Sequence, residues 1–232
     1  IGLEAGKGKT AAPYNSGEAN ISIGPYTNHT VSTGKRNVSV GQSAGYAMET
    51  GTDNTLLGNN AGYNVKHAVG ATIIGGYAGR FASGSYNTFV GYNAGDGGTT
   101  SAPYSSGENN TALGYQALVG FTTATRMVAI GYESMHNVTT GADSVAIGYQ
   151  AAYYDVGTES VSIGSYAGMA NGAGSNVSIG FRAGSTSTGG SNTAIGASAI
   201  RYLNAGNENT AIGNTAGSYL LGTQTTIVGS QA

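Results

Sequence analysis

The sequence predicts an all-β protein, a parallel β-roll or β-solenoid built from about fourteen repeats of 16–17 residues. Three observations predict it. A short phrase of β-branched and small residues closed by glycine, such as "SVAIG", returns along the whole chain. Glycine supplies 41 of 232 residues without the Gly-X-Y period of collagen. Hydrophobic content is 39%, with strand formers and turn formers mixed throughout, which argues for strands rather than disorder.

The repeat is set by a glycine that follows an aliphatic residue: Gly2, Gly24, Gly41, Gly58, Gly75, Gly91, Gly114, Gly131, Gly148, Gly164, Gly180, Gly196, Gly213 and Gly229. Fixed periods of this size are the signature of stacked architectures. Counting from that glycine, position −1 is Ile, Val or Leu and position −3 is Ile, Val or Thr, while −2 is usually small. Residues two apart share a strand face, so −3 and −1 are expected to line the interior and −2 the outer wall. The glycine turns the chain after this short strand. Alanine at +3, missing only at Thr27 and Ser134, is expected to point back inside, where only a small group fits. A further glycine at +4 and a polar loop close the circuit, as at Gly45, Gly62 and Gly184. Asparagine recurs at −4 (Asn20, Asn37, Asn54, Asn87, Asn110, Asn176, Asn192, Asn209). Fourteen turns at about 4.8 Å each give a rod of roughly 65 Å. Its interior, about two aliphatic side chains and one alanine per turn, is thin for a lone coil. The expectation is that coils associate through small outer residues, most simply as a homotrimer.

The array is read as one domain over 1–232, a fragment of a longer fibre, with longer loops at 11–19 and 101–109. Those loops are near-copies, "AAPYNSGEAN" and "SAPYSSGENN", in which Pro13 and Pro103 pre-set turns and Tyr14 and Tyr104 are expected to project outward. Aromatic residues also gather at +1 or +2: Tyr77, Tyr92, Tyr115, Tyr132, Tyr149, Tyr166 and Phe181. Tyr14, Tyr104, Tyr92, Tyr115, Tyr132 and Tyr149 are therefore the candidate contacts for a receptor or glycan. The competing role for the file is an aromatic ladder that seals coil to coil.

Other chemistries find little support. The net charge of −2 gives no footprint for nucleic acid or anionic membrane, and no apolar run reaches the ~20 residues of a membrane helix. Without cysteine there is no disulfide or thiolate metal site. "GLEAGKGKT" misses the phosphate-loop spacing, because Leu3 stands five residues before Gly8-Lys9-Thr10. His29, His67 and His136 are read as falling at unrelated repeat positions, so no metal site is expected. The eleven acids form no paired column for glycoside hydrolysis. The calcium-binding nonapeptide pattern lacks its recurring aspartate. Of six Asn-X-Ser/Thr sequons, those at Asn20, Asn37 and Asn176 belong to the strand phrase itself. Neither a cofactor nor an enzymatic activity is expected.

At "DSVAIGYQA", "ESVSIG" and "SNVSIG" the chain resembles the YadA-like heads of trimeric autotransporter adhesins. "NNTALGYQAL" and "SNTAIG" also resemble repeat arrays of phage tail-fibre proteins that end in an endosialidase-type chaperone domain. The resemblance spans Gly2 to Ala232 and implies a left-handed roll, three chains side by side. The repeats here are longer than the roughly 14 residues typical of those heads, and no coiled-coil stalk, membrane anchor or chaperone domain falls within this stretch. The resemblance implies an extracellular adhesive fibre on a virion tail or cell surface. Its expected partners are copies of itself and a host-surface glycan or protein receptor, with no nucleic acid and no membrane insertion. A bacterial adhesin or filament subunit is the alternative, and the rod of a carbohydrate-active fibre a third.

Overall fold

The computed structural model describes residues 1–8, 17–98, 104–154, 157–203 and 206–231, and every regular element among them is a β-strand. The chain divides into two compact units, Ile1–Ala124 and Thr125–Ala232. Each is a parallel β-solenoid.

The first unit contributes β1 (Ile21–Ile23), β2 (Val38–Val40), β3 (Thr55–Leu57), β4 (Thr72–Ile74), β5 (Thr88–Val90) and β6 (Thr111–Leu113), paired in chain order. Pairing is parallel and residue for residue: Ile21, Ser22 and Ile23 lie against Val38, Ser39 and Val40, and this register holds through to Thr111–Leu113. The second unit repeats the arrangement with β7 (Val128–Ile130), β8 (Val145–Ile147), β9 (Val161–Ile163), β11 (Val177–Ile179), β13 (Thr193–Ile195), β15 (Thr210–Ile212) and β17 (Thr226–Val228). A second parallel sheet forms there from β10 (Ala170–Asn171), β12 (Thr186–Ser187), β14 (Tyr202–Leu203) and β16 (Tyr219–Leu220). The phrase read from the sequence is thus the strand, and each return of it is one turn.

The strand faces are the reverse of the expectation. Position −2 points inward: Ser39, Leu56, Phe89, Ala112, Ala129, Ala146 and Ala211 are all 0% exposed. Positions −3 and −1 point outward, half-buried or exposed, with Ile147 at 37% and Ile212 at 39%. Alternation with period 2 holds, but its phase is shifted by one residue, which flips the whole set. The cause is crowding. Inward side chains also arrive from +3, +4, +7 and the asparagines at −4, so each turn has room for one strand residue. A three-residue strand centred on that residue must turn both flanks out.

The alanine wall is as expected: Ala44, Ala61, Ala78, Ala117, Ala151, Ala183 and Ala216 are fully buried. Thr27 and Ser134 fill the same position, each donating its hydroxyl to the carbonyl of its own motif glycine, Gly24 or Gly131. Position +7 adds Val31, Met48, Val65, Ala82, Phe121 and Val138 to the core.

In several turns the inward positions −2 and +4 exchange volume, while others, such as Ser39 with Gly45 and Ala211 with Gly217, are small at both. Leu56, Ile73 and Phe89 are followed six residues later by Gly62, Gly79 and Gly95. A Cβ added to those glycines would stand 2.8, 2.8 and 2.5 Å from the preceding large side chain. Where −2 is alanine, at Ala112, Ala129 and Ala194, position +4 carries Leu118, Met135 and Ile200, all buried. Close-packed interiors require such compensation.

The asparagines form a directional ladder. The Asn37 amide N–H donates to the side-chain oxygen of Asn20 at 3.0 Å, Asn54 to Asn37 at 3.0 Å, and the N–H of Ala71 to Asn54 at 2.9 Å. The second unit repeats it through Asn176, Asn192 and Asn209. Side-chain amides also donate to loop carbonyls, as Asn54 to Ala68 at 2.8 Å. Backbone groups that leave the sheet are thereby satisfied in the interior. Motif glycines stack on motif glycines: Gly148 has φ +139°, and a Cβ there would meet the Gly164 carbonyl oxygen at 2.6 Å.

Candidate functional site

The tyrosines at +1 and +2 follow a corner of each turn. There the chain passes from the motif glycine into left-handed backbone, as at Tyr77 (φ 58°) and Tyr166 (φ 58°). Repetition of the turn places successive rings one above another. In the first unit Tyr77 meets Tyr92 edge-on at 5.8 Å, and Tyr92 stacks on Tyr115 at 5.9 Å and 8°. In the second unit Tyr132 stacks on Tyr149 at 5.2 Å and 8°. The file continues edge-on through Tyr166 at 5.2 Å to Phe181 at 6.3 Å. Tyr92, Tyr115, Tyr132 and Tyr149 nevertheless stay between 41% and 49% exposed. They form ladders with one open flank. A hydrogen bond with Tyr166 raises the pKa of the Tyr149 hydroxyl above its ordinary value.

Tyr104 does not join these files. It is half-buried and stacks on Phe81 at 6.2 Å and 18°. Tyr14 and Pro13, Pro103, and Lys9 and Thr10 of the phosphate-loop near-match lie outside the described residues. Loop residues 11–16 and 101–103 do so as well.

A second aromatic file, at +5, was not anticipated. His29 stacks on Tyr46 at 4.9 Å and 2°, and Tyr46 on Tyr63 at 4.8 Å and 7°. In the second unit His136 stacks on Tyr153 at 4.9 Å and 5°. His29 and His136 therefore occupy the same repeat position, a correction to the sequence reading. Their common distance of five residues from Gly24 and Gly131 was the available signal. The His29 ring also meets Glu4 at 2.8 Å, whose carboxyl is held below its usual range by Lys7 and then by His29. Among the described residues no group of three His, Cys, Asp or Glu side chains is arranged to hold a metal ion.

Charged side chains pair along the turns. Arg36 binds Asp53 through two hydrogen bonds of 2.7 and 2.8 Å, and Arg126 binds Asp143 at 2.6 and 2.8 Å. Both aspartates are held below their ordinary pKa by the arginine hydrogen bonds. Arg80 binds Asp96 at 3.1 and 2.8 Å and lies over Tyr77 and Phe81. Burial raises the Asp96 pKa against the pull of that arginine.

The sequons divide by burial. Asn28, Asn37 and Asn176 are buried, their amides engaged inside the coil, whereas Asn109 and Asn137 are exposed. Among the described residues no helix is long and apolar enough to cross a membrane. No protein-family model, curated protein or solved structure matches the chain.

Proposed function

We propose that this chain is a structural and adhesive fibre segment, phage tail-fibre-like, that associates with copies of itself and presents an attachment surface. A bacterial surface adhesin or filament subunit is the alternative. The observation that carries the proposal is the outward face of the strands. All-parallel sheets occur almost only with both faces covered. Here one face packs on the core, while the other presents rows of Val, Thr and Ile: Ile147, Ile163, Ile179, Ile212 and Val228 are exposed. Contiguous apolar strips of this kind mark association surfaces. A second and third copy would cover them best, because identical rows repeat with identical spacing. Association thus runs through the β-branched rows and not through small residues. The tyrosine files, on another flank, remain open to a partner in the extracellular setting this role requires.

Sedimentation tests the proposal. Wild type should sediment as a trimer, and Ile147→Lys with Ile163→Lys and Ile179→Lys as a monomer that keeps its β-sheet circular dichroism. A wild-type protein that is monomeric at micromolar concentration would sink the self-associating model.

A further inference from the structure

The second unit contains a groove that its charge pattern singles out. Residues 160–207 hold no aspartate or glutamate, yet they carry Arg182 and Arg201, in a chain whose net charge is −2. Both arginines line one groove of about 270 Å³, with Tyr166, Tyr202, Ser185 and Thr186. Both are half-buried. Neither is held by a carboxylate among the described residues. Aromatic rings hold them instead: the Arg182 guanidinium lies 5.5 Å from the Tyr166 ring centre and 5.0 Å from that of Phe181, and Arg201 lies 4.9 Å from that of Tyr202.

The first unit supplies an internal comparison. A groove lined by Tyr77, Arg80, Tyr92 and Asn93 has the same tyrosine–arginine character, but Asp96 binds its arginine at 2.8 Å. Among the described residues of the second unit no such counter-charge meets the arginines, and the register places serines beside them: Ser198 one turn on from Arg182, and Ser185 one turn back from Arg201. Guanidinium groups match carboxylates and sulfates in paired hydrogen bonds. Around them the hydroxyls of Thr186 and the tyrosines suit a ligand rich in hydroxyl groups, while the buried Ser185 hydroxyl donates to the Arg201 carbonyl at 3.1 Å. The volume is near the small end of the ~300–1,000 Å³ of ligand pockets. Two cations are too few for the phosphate track of a nucleic acid.

We infer that this groove binds an acidic saccharide, with Arg182 and Arg201 on its carboxylate or sulfate groups and the hydroxyl side chains on its sugar hydroxyls. The inference rests on the reading of the chain as an attachment surface and names the ligand class of that surface.

Calorimetry on the full chain tests it, with sialyllactose and trigalacturonate as carboxylated probes, a heparin hexasaccharide as the sulfated probe, and maltotriose as the neutral control. At least one acidic probe should bind ten times or more tighter than maltotriose, and the stronger arm identifies the anion. Arg182→Gln and Arg201→Gln should each weaken binding about tenfold without lowering the melting temperature. Arg182→Lys and Arg201→Lys, which keep charge but lose the paired donors, should fall between. Equal binding of maltotriose, unchanged affinity in both glutamine variants, or competition by inorganic sulfate at the saccharide's own concentration would each overturn the assignment. Adhesion of the same proteins to host cells separates the two readings. Adhesion without acidic-saccharide binding removes the groove's role and leaves the attachment surface. Arginine-dependent saccharide binding without adhesion does the opposite.

Discussion

At the residue scale, the core of several turns works by exchange of volume between two positions six residues apart. Phe89 is fully buried, and its ring occupies the space that a side chain at Gly95 would need. Phe89→Ala should therefore cost about 3–5 kcal/mol in chemical denaturation. Gly95→Leu alone should also destabilise, because the new side chain meets that ring at once. Left-handed backbone is not the obstacle, since Leu118 adopts it at the same repeat position with φ 52°. Together the two changes rewrite this turn in the pattern of Ala112 and Leu118. They should cost less than the sum of the single changes by at least about 1 kcal/mol, and strict additivity would refute the exchange.

At the element scale, turns are tied to their neighbours by strand pairing, reinforced in many of them by the asparagine ladder and in a few by arginine–aspartate pairs. Asp53 and Asp143 titrate below the ordinary 3.8 when folded. Their pairs favour the folded state above about pH 4, and that contribution is lost as pH falls through the lowered folded values. Asp53→Asn with Asp143→Asn should flatten the acid limb of a melting-temperature profile below pH 4 and change little at neutral pH, where such exposed pairs contribute weakly. The position of each motif strand was legible in the phrase before the motif glycine, whereas the two-residue strands of the second sheet, Ala170–Asn171 to Tyr219–Leu220, carry no such phrase and were not. Nor was the buried face. Size suggests that Val145 and Ile147 are core and Ala146 is surface, yet a narrow coil reverses this, and Ala146 is the buried one. The pairing of small with large six residues on held the clue. Of the site, the tyrosine file was legible as a column. The groove at Arg182 and Arg201 was not, since the two arginines sit at different repeat positions and only the coil brings them to one place.

At the scale of the whole molecule, the pattern is a nearest-neighbour one: among the described residues each motif strand pairs only with those one turn before and after. Stability in such arrays is approximately a sum of turns and of interfaces between turns. The two units differ in how much each turn contributes, for the first buries Leu56, Ile73, Phe89, Leu118 and Phe121, whereas the second relies on alanines with Met127, Met135, Val138 and Ile200. This inequality has a mechanical consequence. A chain of this kind held at both ends and stretched has no single breaking point, because each turn can peel away and leave its neighbour intact. Every turn released would lengthen the tether by about 55 Å, the extended span of roughly sixteen residues. Single-molecule extension traces should show a series of small, evenly spaced drops in force, with the alanine-packed turns yielding first. One large drop would show that the turns fail together. For an attachment segment, such yielding would let the tether absorb a pull by lengthening before its grip is tested.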